Sequence, residues 1–543
     1  MPWIRTFVLA ISIAVAMPLL ADEGHHHGPA NPEQLGTVSF PTSCSPKVQK
    51  QFERAMAMLH SFWYEEAERS FTEVAKADPK CAMAYWGMAM TYYHQLWEPR
   101  GPNVEALRNG WAAVEKAKAA GAKTQRERDY IAALESFYKD FDKQDHRARV
   151  VAHEKAMESV TLRHPKDREA GAFYALALLG TASALPVDKT YARQKQAGAI
   201  AEKLFADLPE HPGAAHYVIH SYDYPPLAGR ALPAARRYAK IAPDSPHALH
   251  MPSHIFTRLG LWQESIGSNR DSAAAARKHG LAGDELHALD YLVYAYLQTG
   301  QDQLAQELLK ALPPSKDHST KYFQGLYARA TAPARFVVET RRWREAAAML
   351  PAADGFPAGR YAWAQASIHF ARTIAAARTR DVATARAGAP KLAELRDILK
   401  QAGEDYWANQ VEIQRIEAAG WTAFAEGKKD EALSLLRSAA DLEDATDKHP
   451  VTPGPITPAR EMLAEALLEL KRPAEALPEF EKTLVSSPNR FNAVYGAARA
   501  AELAGNRDKA REHYAALLKI SSPSSERQEL RSAKAFLGEL ARR

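Results

Sequence analysis

Glu475-Ala476-Leu477-Pro478-Glu479-Phe480, closed eight residues after the phenylalanine by Ser487-Pro488, is the stretch on which the fold turns. The same spacing stands near the start of the chain in Glu65-Glu66-Ala67-Glu68-Arg69-Ser70-Phe71, closed by Asp78-Pro79. A third copy, Asp508-Lys509-Ala510-Arg511-Glu512-His513-Tyr514, has Pro523 near its end, and Ala510 lies 34 residues after Ala476. Each position has a physical role. The small residue lets two helices come close, the aromatic ring four residues later fills the space beside it, and proline ends the second helix.

This pattern resembles the tetratricopeptide repeat, a helix–turn–helix unit of that period. Weaker copies begin at Gly260-Leu261-Trp262, Gly300-Gln301-Asp302, Arg342-Trp343-Arg344 and Gly427-Lys428-Lys429, so the resemblance extends over most of residues 47–530. No stretch alternates Val, Ile and Thr as a strand would. The resemblance implies an all-α chain whose helix pairs stack into a right-handed α-solenoid with a concave groove. Proline and glycine clusters mark the breaks: the turns at 98–102 and 312–317, and His449-Pro450-Val451-Thr452-Pro453-Gly454-Pro455, which cannot be helix interior. The expected organisation is an irregular segment at 22–46, a helical array at 47–446, a Pro/Gly loop at 447–458 and a C-terminal repeat pair at 459–543.

The 543 residues are 46% hydrophobic and 25% charged, an ordinary folded composition. Seventy Lys and Arg against 65 Asp and Glu leave a formal charge of +5 with no dense basic run, so no nucleic-acid partner is expected. The N-terminus carries one arginine, then an almost continuously apolar stretch from Thr6 to Ala21, then Asp22-Glu23. That is the pattern of a secretory signal peptide over residues 1–21, cut after Ala21. It places the mature protein in the periplasm or outside the cell, with no membrane attachment. Export changes the reading of the only two cysteines. Cys44 and Cys81 are expected to form a disulfide, since the compartment permits it.

The histidines carry the sharpest chemical signal. His216 and His220 form one H-x3-H pair, and His250 and His254 form another 34 residues later, one repeat period on. Residues four apart share a helix face. Aligning Gly260 on the inter-helix turn puts unit starts near Pro246 and Pro212, so both pairs occupy positions five and nine of adjacent first helices. In the repeats this chain resembles, those positions line the concave groove. With 20 histidines in 543 residues, the chance of both recurring at that offset is roughly one in a thousand. The intervening residues, Tyr-Val-Ile and Met-Pro-Ser, share nothing, so recent duplication does not explain it. The next unit starts near Leu286 and puts Asp290 in the same row, with His287 one turn earlier; His247 stands one turn before His250, and Asp223 follows His220.

His216, His220, His250 and His254, with Asp290 adjacent, therefore form a candidate transition-metal set for copper, zinc or iron. Neither pair has Glu after its first histidine, so a metalloprotease base is missing. The other readings of the same residues are a polar groove that grips a peptide or partner helix, and a packed hydrogen-bonded network. His25-His26-His27 reads as a polar tail, His60 and His94 as capping or packing residues, and the Trp63, Trp86, Trp97, Tyr85, Tyr92 and Tyr93 group as core. His369 and His449 are isolated. No phosphate loop, dinucleotide fingerprint or serine or cysteine nucleophile motif is present. The signal-peptide reading predicts that N-terminal sequencing of the exported protein begins at Asp22; a chain that retains Met1 would overturn it.

Overall fold

The computed structural model describes residues 33–94, 96, 101–312, 323–447 and 449–541. The expected signal peptide, the His25–His27 run, Trp97 and parts of the turns at 98–102 and 312–317 lie outside these. Among the described residues every regular element is helical, and consecutive helices pack against each other from Gln49 to Ala541. The fold is all-α with the pairwise helix packing of tetratricopeptide repeats.

The motif of the opening stretch explains the pairing. Helix Tyr64–Ala77 ends at Asp78-Pro79 and helix Ala82–Thr91 follows. Phe71 sits where a Cβ on Gly87 would be, 2.5 Å from the ring. Helices Pro473–Ser486 and Phe491–Leu503 repeat the arrangement, with Phe480 2.3 Å from the Cβ position of Gly496. Both rings are fully buried. Small residue and aromatic thus come from facing helices and set how closely they approach.

The two units that carry the histidine pairs begin as aligned. One helix runs Pro212–Tyr222 and the next starts at Pro246, each with proline in its first turn, where the missing N–H costs nothing. The His211 and Ser245 side chains cap them, accepting the backbone N–H of Ala214 and Ala248. Pro252 interrupts the second helix. It divides into Pro246–His250 and Pro252–Arg258 around Met251, because proline offers no N–H to the carbonyl one turn back. The third helix of the row runs Ala282–Gln298, starting four residues before the aligned position, so His287 and Asp290 lie in its second and third turns.

Residues 34–45 run without regular helix and are pinned along their length. Thr37 donates to the Glu210 carbonyl, Phe40 packs between Phe52, Trp86 and Tyr130, and Cys44 is joined to Cys81. Among the described residues no helix lies between Asp444 and Ala459, yet much of that loop is buried. The C-terminal repeats return to the middle of the array: Trp262 Nε1 donates to the Asn489 carbonyl at 2.8 Å, and Arg490 is buried between Glu339 and Glu461.

Two predictions follow from this packing. Gly496→Ala pushes a methyl into Phe480 and is expected to destabilise by about 1–3 kcal/mol. Gly229→Ala, in a helix with open space around it, is expected to be neutral or stabilising. Thermal unfolding of the two variants tests this, and equal midpoints would refute the close-approach account. The second concerns acid. Burial lowers His94, His146 and His153 to about 4 from the usual 6.5, with Arg149 also acting on His146. Unfolded histidines take protons that the folded ones refuse, so stability present above pH 6.5 is lost as pH falls from 6.5 towards 4. Urea midpoints unchanged between pH 7 and pH 5 would contradict this.

Candidate metal centre

The histidine row of three consecutive units folds into two clusters. His216, His220 and His247 form one; His250, His254 and His287 form the other. In each, one ring nitrogen per residue lies within 4.8 Å of the other two. His247, one turn before His250, and His287, one turn before Asp290, each complete a set of three. All six are buried except His220, which is partly so.

The outer nitrogens are held by acceptors. His216 Nδ1 lies 2.7 Å from the carbonyl of His60, the last residue of helix Gln49–His60, whose C-terminal carbonyls have no partner within the helix. A carbonyl only accepts, so His216 carries its proton on Nδ1 and turns a bare Nε2 inward. His254 Nδ1 meets the Asp223 carboxylate at 2.9 Å. His250 Nδ1 meets Asn269 Oδ1 at 2.6 Å, and the amide orientation follows from Asn269 Nδ2 donating to the Ser265 carbonyl. Both of these rings therefore also turn Nε2 inward. Holding the outer N–H of an imidazole by a carbonyl or carboxylate is the arrangement that orients metal-ligating histidines.

The inward nitrogens approach one another closely. His250 Nε2 and His254 Nε2 are 3.0 Å apart, and His216 Nε2 and His247 Nε2 are 3.2 Å apart. A tetrahedral ion with metal–nitrogen bonds of about 2.0–2.1 Å separates its ligand atoms by about 3.3–3.4 Å. The donor set fits such an ion. Burial, with a smaller effect from neighbouring imidazoles, lowers His216 to about 3 and His247 well below 6.5, so both are neutral at pH 7.

Aromatic rings wall the clusters. Phe62, in the turn after helix Gln49–His60, lies roughly parallel to His220 and His247 with centroids 5.4 and 5.7 Å away. Its φ of 54° is a left-handed conformation that costs a non-glycine residue about 1–3 kcal/mol. Tyr238 stacks on His216 and Tyr291 on His254. The Pro/Gly loop closes over them: Pro450 and Val451, with Leu96, Met251, His220, His247 and His254, line a cavity of ≈ 10 Å³. Tyr291 Oη donates to the Val451 carbonyl and Arg258 to that of Pro453.

Asp290 is placed differently from the imidazoles. Its Oδ1 accepts from Arg335 Nη1 at 2.7 Å in a fully buried ion pair, and Arg335 also reaches the Gly454 carbonyl. Neither histidine cluster includes it. Its engagement is with the helix and loop behind the row.

A third cluster, His60, Glu169 and His211, was not legible in the spacing, because its members come from three distant helices or caps. It differs chemically. His211 Nδ1 accepts from Ala214, so Nε2 donates to Glu169 Oε1 at 2.9 Å. His60 Nε2 donates to Oε2 at 2.8 Å, while Nδ1 accepts from Tyr217 Oη. Every nitrogen is used. Burial raises the Glu169 carboxyl, but His211 and His60 outweigh this and hold it below the usual range. This is a closed hydrogen-bond network that braces His60, and through the His60 carbonyl it braces His216.

On the other side of the Pro/Gly loop lies a larger cavity of ≈ 480 Å³, lined by Tyr327, Trp363, Tyr406, Trp407, Glu417 and Glu443 among others. Trp363 and Trp407 are stacked with centroids 4.9 Å apart. Arg258 lines this cavity and also faces Asp223 at 3.5 Å, so one residue separates it from His254.

The tetratricopeptide-repeat family model matches residues 461–525. No curated protein matches the chain. Among solved structures, the P58(IPK) TPR domain aligns over 92% of this chain and all of its own, at 13% identity and a TM-score of 0.21. The human IFIT1 dimer with m7Gppp-AAAA aligns over 81% of this chain and 90% of its own, at 13% identity and a TM-score of 0.36. Superpositions this loose transfer no site or ligand. Residues 461–525 thus carry the tetratricopeptide-repeat signature, and they sit in an all-α array of paired helices.

Proposed function

We propose that this chain is an exported helical-repeat protein that holds a transition metal, copper, zinc or iron, in its two three-histidine clusters. One observation carries the reading. His250 and His254 each have Nδ1 held by an acceptor, and their Nε2 atoms face each other at 3.0 Å in a buried site. Two nitrogens that close need a proton or a metal ion between them, and each three-imidazole set supplies the ligands of a metal. Three imidazoles leave a fourth coordination position open, as in catalytic rather than structural sites, and the ≈ 10 Å³ cavity has room for about one water-sized ligand there. Metal-bound water activated at that position is the chemistry such a site supplies. Zinc or copper carriage without turnover is the simpler use of the same ligands.

A second reading, an interaction scaffold, rests on the aromatic cavity. Stacked Trp363 and Trp407 offer a flat apolar platform to a peptide or partner helix. Beneath it burial pushes Glu417 and Glu443 above the usual carboxylate range, Glu443 to about 7. The readings are separable, because partner binding in that cavity is indifferent to chelation.

The test is metal content. Protein exported, purified without added metal and examined by elemental mass spectrometry is expected to carry near-stoichiometric metal. His250→Ala/His254→Ala is expected to lose much of it while keeping its helical circular dichroism. A wild type that is empty and also refuses zinc and copper in micromolar excess would show that a shared proton, not a metal, separates the two nitrogens.

A further inference from the structure

The two clusters are contiguous. Within them, ring centroids are separated by 4.1 Å (His250–His287) to 6.4 Å (His220–His247). Across the boundary His247 and His250 are 6.3 Å apart and His220 and His254 6.5 Å apart. The boundary is therefore about as wide as a cluster. It also holds the one small cavity described above, and that cavity draws His220 and His247 from the first cluster and His254 from the second. Its remaining walls, Leu96, Met251, Pro450 and Val451, are apolar side chains.

Charge decides what the cavity must contain. Imidazole ligands contribute no negative charge to two cations. Of the nearby carboxylates, Asp223 meets His254 and faces Arg258, and Asp290 is paired with Arg335, so each already has an arginine beside it. Two buried dications need an anion within reach, since uncompensated charge in a low-dielectric site is costly. The cavity admits one of about the size of water.

Resting on the metal reading above, we propose that the six histidines form a single dinuclear centre, with one ion in each cluster and one hydroxide bridging them in the shared cavity. The bridge forms when a water entering the cavity binds both ions through its oxygen and releases one proton to solvent. Two cations a few ångströms apart lower the pKa of such a water together, as in two-metal hydrolytic sites. Copper(II) is the ion of choice for the test, because nitrogen sites bind it most tightly of the first-row dications and its unpaired electron reports on its neighbour.

Metal-free protein titrated with copper(II) alone is expected to take up two ions per chain. Its electron paramagnetic resonance signal is expected to integrate to far less than two spins, because a hydroxide bridge couples the two unpaired electrons. His250→Ala/His254→Ala and His216→Ala/His220→Ala are each expected to bind one copper and to recover its full signal. The wild-type spin count decides the matter even if a variant fails to fold. One copper per chain, or two with full independent signals, overturns the pairing and leaves the metal reading standing. A wild type that takes up no copper overturns both.

Discussion

Sixteen residues separate Phe71 from Gly87 and Phe480 from Gly496, and in both places the ring fills the space that a Cβ would occupy. The rest of the molecule depends on that contact. It fixes the distance between the helices of a pair, and the 34-residue period of the chain fixes how one pair follows another. Chemical groups 34 residues apart are then carried on neighbouring helices at equivalent heights. Pro212 and Pro246, each opening its helix, show the register holding where the histidines are.

Burying imidazoles on such a frame creates a hydrogen-bond problem, because each ring has two nitrogens and one proton. The His60–Glu169–His211 network solves it fully with a carboxylate, a tyrosine hydroxyl and a backbone amide. The two three-histidine clusters meet it on the outer side with fixed acceptors and on the inner side with one another. A helix-end carbonyl, Asn269 and Asp223 fix the outward protons, which leaves the inward nitrogens converging on each other. The contrast is chemical: all three clusters are largely buried, and only the third includes a carboxylate.

The all-α fold and its repeats were legible because they rest on local spacing. The H-x3-H pairs and the unit starts at Pro212 and Pro246 were legible for the same reason. His247 and His287 were visible only as neighbours one turn away. Their part in the clusters depends on how far adjacent helices are rotated, which the spacing leaves open. His60 read as a packing residue, yet its carbonyl orients His216; that contact spans 156 positions. Asp290 stood in the same row as the histidines, but the partner that claims it, Arg335, lies 45 residues on. The loop at 447–458 read as a divider, and it lies over the histidines because Tyr291, Arg258 and Arg335 hold its carbonyls.

By itself the sequence determined which residues form helices, how the helices pair, and that four histidines recur in register. These follow from proline, glycine and aromatic positions acting within one or two turns of helix. The tertiary structure decided which histidines share a cluster, which way each imidazole points its proton, and what lies over them. Those outcomes depend on side chains and carbonyls brought together from distant parts of the chain. Their positions are set by the summed rotation and packing of many helix pairs, which no local spacing records.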